Sequence, residues 1–137
     1  MNLDFVILYA DGGSRGNPGP AGAGAYLVDP EGNCLAEVHR FLGSTTNNVA
    51  EYSALILGLH EAAKFQPKKL LVRLDSQLIV RQLEGAYRVK QPHLQKLYAE
   101  AKALLEKFPN FTVEHIPREE NTEADRLANE AMDEFGA

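Results

Sequence analysis

The chain has 137 residues, the length of one domain and enough to bury roughly two thirds of its unfolded surface. Its 45% hydrophobic and 24% charged content is that of a globular protein, and a net charge of −5 argues against holding nucleic acid by bulk electrostatics alone. Cys34 is the only cysteine, which excludes an intrachain disulfide and a cysteine-built zinc cluster. The N-terminal apolar run is too short for a signal peptide or a membrane span, so the expectation is a cytoplasmic, monomeric single domain over 1–137 with no membrane partner.

Residues 4–11 read as a strand, and the glycine- and proline-rich stretch from Gly12 to Gly24 reads as a turn. Residues 23–29 and 34–42 flank the turn signal Pro30-Glu31-Gly32-Asn33, so the first three strands form an antiparallel meander. Asn48 to about Phe65 carries a broad apolar helical face through Val49, Tyr52, Leu55, Leu59 and Ala62, and Pro67 ends it. Leu70–Leu74 is a compact apolar strand, followed by a short helix from Ser76 as N-cap to about Leu83. A loop over Gly85–Gln91 leads to a second long helix with Leu94, Leu97, Tyr98, Ala101, Leu104 and Phe108 at helical spacing. Phe111–Ile116 alternates as a strand, placing Phe111, Val113 and His115 on one face with His115 packed. Pro117 halts it, and Asn121 or Thr122 caps a last helix. The order βββαβααβα predicts an α/β fold, a mixed sheet with helices on its faces.

Four acids stand out against this background: Asp11, Glu51, Asp75 and Asp125. Asp11 and Asp75 close apolar strands, where a carboxylate is costly to desolvate without a positive partner. Glu51 and Asp125 lie near helix starts, where the dipole alone favours a negative charge by about 0.3–1 kcal/mol. Taken singly, each acid has a local explanation as a turn former, a cap or a dipole partner. Four together, converging beyond the carboxyl ends of parallel strands, outline a site for hard divalent cations, Mg²⁺ first. Gly12, Gly13 and Ser14 offer main-chain N–H groups without bulk, suited to close approach of a phosphodiester. Neither a P-loop nor a dinucleotide fingerprint is present, since Pro18-Gly19-Pro20 follows where a helix should open. Thr46, Asn47 and Asn48 supply a cap and spare amides able to meet a ribose 2′-OH.

The stretches DGGSRGNPGPAGAGAYL, TTNNVAEYSAL, LDSQLIV and ENTEADRLAN, in this order, resemble the ribonuclease H family, type 1, over essentially the whole chain. The resemblance implies a five-stranded mixed sheet of order 3-2-1-4-5. It implies hydrolysis of the RNA strand of RNA–DNA hybrids with two Mg²⁺ ions (Mn²⁺ as a substitute), leaving 5′-phosphate and 3′-hydroxyl ends. By motif position it makes Asp11, Glu51, Asp75 and Asp125 the metal-binding carboxylates. Asn17, Thr46, Asn47, Asn48 and Gln77 become the hybrid-contacting polar residues, and the main chain of Gly12 and Gly13 the turn facing the RNA.

Two departures stand out. HIPREENTEAD is shorter than the histidine-bearing loop of many members, which makes Arg118 the residue near the metals in place of His115. Residues 85–91 are brief and modestly basic where some relatives carry a lysine-rich grip, making this a compact form in which Arg81, Arg88, Lys90 and Lys96 are either a small phosphate-contacting patch or a merely solvated surface. Three other readings stand beside the leading one: cleavage of double-stranded RNA as well, a hybrid-binding module without catalysis, and a phosphoryl-transfer domain of the integrase type. The full set of carboxylates disfavours the binding module, and the Asn47-Asn48 pair disfavours the integrase type.

Overall fold

The computed structural model describes residues 3–135. The elements are β1 (Phe5–Ser14), β2 (Gly19–Val28), β3 (Cys34–Thr45), α1 (Asn47–Ala63), β4 (Lys69–Leu74), α2 (Gln77–Leu83), α3 (Pro92–Leu105), β5 (Asn110–His115) and α4 (Thr122–Phe135), with a 3₁₀ turn at Arg118–Glu120. They build one mixed sheet in the order β3-β2-β1-β4-β5. The short links make β1, β2 and β3 antiparallel, whereas helical crossovers make β1–β4 and β4–β5 parallel. This is the α/β architecture expected from the element order, with the strand order that the family resemblance implies.

One sheet face carries Val6, Leu8, Leu27, Leu70 and Val72, all fully buried in one apolar core with Tyr52, Leu55 and Leu59 of α1. Gly58 allows the fit, since a Cβ there would press into the Leu8 side chain. α4 covers the other face over β2. Here the glycine-rich stretch departs from expectation. β1 and β2 run on through it, pairing Gly12 with Ala23, Gly13 with Gly22 and Ser14 with Ala21, so that only residues 15–18 turn. The small residues serve packing rather than bending. A Cβ on Gly22 or Gly24 would collide with the main-chain carbonyls of Ala128 and Ala124 in α4, so the glycines let that helix lie directly on the sheet.

Other local readings shift for physical reasons. Thr46 caps α1, its Oγ1 accepting from Val49 N at 3.3 Å, and the helix begins at Asn47. α1 stops at Ala63, and Gln66 at φ 45° turns the chain ahead of Pro67. Ser76 caps α2 as expected, through Ile79 N. The expectation that His115 is packed is corrected: β5 is an edge strand, His115 is exposed and Phe111 is 37% exposed. α3 lies against α1 instead of over β5, so alternation along that strand produces no buried face. Among the described residues no helix is long and apolar enough to cross a membrane.

Candidate metal and nucleic-acid site

Because β1 and β4 run parallel in register, with Ala10 opposite Leu74, the residues that follow, Asp11 and Asp75, emerge side by side at the carboxyl edge of the sheet. α1 brings Glu51 to the same place. Its approach is set by Gly12, where any Cβ would collide with the Ala50 carbonyl. Gly12 therefore gives its open side to α1, and of the two glycines only Gly13 keeps free space, its nearest obstacle Asn47 Oδ1 at 4.0 Å. One carboxylate oxygen from each of Asp11, Glu51 and Asp75 lies within 4.8 Å of the others. Asp125, in the first turn of α4, stands outside that trio, is exposed, and lines the same cleft facing Asp11.

Crowding of this kind shows in the protonation. Burial first, then the charge of Asp75 and a hydrogen bond with Asp125, push Asp11 from 3.8 up to about 8. Glu51 is held well above its ordinary value by burial and by the charges of Asp11 and Asp75. Arg118, exposed in the 3₁₀ turn, opposes both shifts by its charge. An all-carboxylate donor set that resists ionising without a counter-charge fits a hard divalent cation and not a soft one.

The cleft is about 440 Å³ and runs from the carboxylates past Gly13 and Ser14 to Arg15 and the Asn129–Met132 side of α4. β4 has ended by then, so residues 11–14 have β2 on one side and, among the described residues, no strand on the other. Asn47 ties this ledge together. Its Oδ1 accepts from Ser14 N at 2.9 Å and Ser14 Oγ at 3.0 Å, and its main-chain N donates to Asn17 Oδ1 at 3.0 Å. Of the polar residues singled out in the sequence, Asn47 and Ser14 line the cleft. Asn17, Thr46, Asn48 and Gln77 lie outside its lining, Thr46 using its hydroxyl on the helix cap and Gln77 exposed as the first residue of α2. Arg118 lines it and His115 does not.

Three further residues that the sequence reading did not single out belong to the site. Arg15 donates to Asp133 at 2.7 Å and to Asn129 at 3.3 Å, bonds that span more than a hundred residues and leave no local signal. Asn129 was within reach of the argument, lying four residues after Asp125 and hence on the same helix face. Asn121 reads as a helix cap, yet its Nδ2 donates to Asp75 Oδ2 at 2.8 Å and to the Ala10 carbonyl at 3.0 Å.

Comparison with known proteins settles the kinship. A family model described as reverse transcriptase-like matches residues 9–131. The ribonuclease H1 of Halobacterium salinarum superposes with a TM-score of 0.91 at 45% identity, covering 95% of this chain and 98% of that one. This chain belongs to the ribonuclease H family, type 1. LC11-RNase H1, isolated from compost by a metagenomic approach and solved in complex with an RNA/DNA hybrid, matches this family member at a TM-score of 0.91 and 47% identity over 96% of this chain and 99% of that one. A bifunctional protein of Mycobacterium tuberculosis is 50% identical over 93% of this chain. The chain spans about a third (35%) of that relative's length. The solved N-terminal RNase H domain of the mycobacterial protein superposes at a TM-score of 0.92 with 49% identity, over 96% of this chain and 95% of that one.

Proposed function

We propose that this ribonuclease H chain acts as a single catalytic domain that hydrolyses the RNA strand of RNA–DNA hybrids, leaving 5′-phosphate and 3′-hydroxyl ends. The observation that carries the reading is the meeting of Asp11, Glu51 and Asp75 within 4.8 Å at the head of an open cleft, with Asp125 facing them. Asp11, which lies between Asp75 and Asp125 on one hand and Glu51 on the other, would be the central carboxylate in holding Mg²⁺. Asp11, Glu51, Asp75 and Asp125 would hold the divalent ions, which would supply Lewis-acid activation of water and charge compensation at the leaving oxygen.

The side chains of the protein do the rest by position. No covalent nucleophile is needed, because the work is alignment and charge compensation. Arg118 brings a permanent positive charge to the cleft and steadies the phosphate. Ser14 and Asn47, fixed to one another, offer a rigid polar ledge for the RNA strand. Asn17 stiffens that ledge from outside through Asn47, while Thr46, Asn48 and Gln77 meet the hybrid beyond the cleft. The protein works as a monomer on this reading.

Incubation with labelled RNA–DNA hybrid, duplex RNA and duplex DNA, with and without Mg²⁺, tests the proposal. Mg²⁺-dependent cleavage of the RNA strand of the hybrid is the expected result; no cleavage with Mg²⁺ or Mn²⁺ would overturn it. A second reading, cleavage of duplex RNA as well, is favoured by the short link over residues 84–91 between α2 and α3, too brief for a separate grip on a DNA strand. The duplex RNA lane decides it.

A further inference from the structure

Asn121 is 1% exposed, more deeply buried than Asp11 at 8% or Gln82 at 6%. It opens α4, and Asp125 N donates to its main-chain oxygen at 3.1 Å. A capping asparagine would turn its side-chain oxygen to the free N–H groups of the first turn. This one does not: Oδ1 is buried with no hydrogen-bond partner among the described residues. Both neighbours of the amide, the Asp75 carboxylate at 2.8 Å and the Ala10 carbonyl at 3.0 Å, are acceptors, so the NH₂ group must face them and the oxygen is left over. An orphaned buried acceptor is unfavourable and persists where something else requires the arrangement.

The requirement lies in what the two acceptors belong to. Ala10 immediately precedes Asp11 on β1, and Asp75 is the first residue after β4. Asn121 sits four residues before Asp125 on the third element of the site. One neutral amide thus joins the carriers of three of the four acids. Asp75 and Asp11 repel each other, and the amide holds one Asp75 oxygen by a charge-assisted bond without adding a cation that would compete with bound metal. The other oxygen is left for the site. Outer partners of this kind orient metal-binding carboxylates elsewhere.

We propose that Asn121 is a positioning residue whose side-chain amide clamps Asp75 to the end of β1 and so fixes the spacing of the carboxylates that receive the divalent ions. The role rests on the metal-dependent reading of the site proposed for hybrid cleavage. It is tested on the full chain with Asn121→Ala, with Asn121→Ser as the variant to measure where the alanine protein does not fold. A core variant away from the site, Leu105→Val, controls for simple loss of stability.

Two readouts are taken against Mg²⁺ concentration: the rise in melting temperature and the rate of hybrid cleavage. In the Asn121 variants the half-saturating Mg²⁺ concentration rises about 10-fold or more in both readouts, while KM for the hybrid at saturating Mg²⁺ stays within about twofold. Leu105→Val melts lower but keeps the parental Mg²⁺ midpoint. Asn121 variants that melt lower yet keep that midpoint would overturn the clamp and leave a purely structural residue. A parent protein whose melting and cleavage ignore Mg²⁺ would sink the metal reading itself, an outcome told apart because it precedes any substitution.

Discussion

Replacing Asp11 with asparagine removes a titratable carboxyl from the most crowded point of the site, and the consequence for stability can be worked out before any catalysis is measured. In the metal-free protein the Asp11 carboxyl titrates at about 8, raised from 3.8. Between those values the folded chain keeps a proton that the unfolded chain has lost. Stability from this group is therefore complete below about pH 4 and drains away as pH rises to about 8, at up to roughly 1.4 kcal/mol per pH unit. The asparagine side chain does not titrate, so the variant lacks this slope. From pH 5 to 7 in EDTA, Asp11→Asn gains up to about 2.7 kcal/mol on the parent from the loss of this slope. For a domain of this size that separates the melting temperatures by a further 8–13 °C or so over the two pH units. The assay is a series of thermal melts of both proteins, in EDTA, from pH 5 to 8. Parallel melting curves across that range would show that Asp11 is not buried among like charges, and the electrostatic argument for the metal site would fall with it. Addition of Mg²⁺ at pH 7 should stabilise the parent and leave Asp11→Asn nearly unmoved, with cleavage lost in the variant.

Arg118→Ala is expected to slow turnover more than His115→Ala, because Arg118 lines the cleft and His115 is exposed on the edge strand; equal or reversed losses in kcat would refute the ordering. Hybrid affinity should depend only moderately on salt. Phosphate contacts confined to Arg15, Arg81, Arg88, Lys90, Lys96 and Arg118 limit the slope of log K against log[salt] to about −5. A slope near about −10 in a binding titration would mean a contact surface of a different kind. Gly24→Ala should destabilise the fold by about 1–3 kcal/mol in urea, since its methyl would meet the α4 backbone at Ala124 and Ala128, and should weaken cleavage by shifting Asp125. An unchanged urea midpoint would show that α4 does not rest directly on β2.

The candidate site was legible to different depths along the chain. Asp11 and Asp75 could be found because a carboxylate closing an apolar strand is costly to desolvate, and because four such acids together outweigh the local explanation each has singly. Asn47 was readable as polar and near a helix start, though its role in holding Ser14 and Asn17 was not. Gly12 and Gly13 look alike in the sequence. In three dimensions one accommodates α1 and the other leaves the cleft open. The stretch from Gly12 to Gly24 looked like a turn for a similar reason: glycine signals bending and close packing with the same letter, and only the neighbour, α4, tells them apart.

Periodicity and motif spacing were enough to set the element order, the mixed sheet and the four acids, because each depends on residues near one another along the chain. What folding alone decided is which atoms meet across it. The bond from Asn121 to Asp75, the hold of α4 on Arg15 and the exposure of β5 all depend on how helices settle on a twisted sheet. Those contacts link residues tens to more than a hundred positions apart, and no local pattern encodes a distance of that kind.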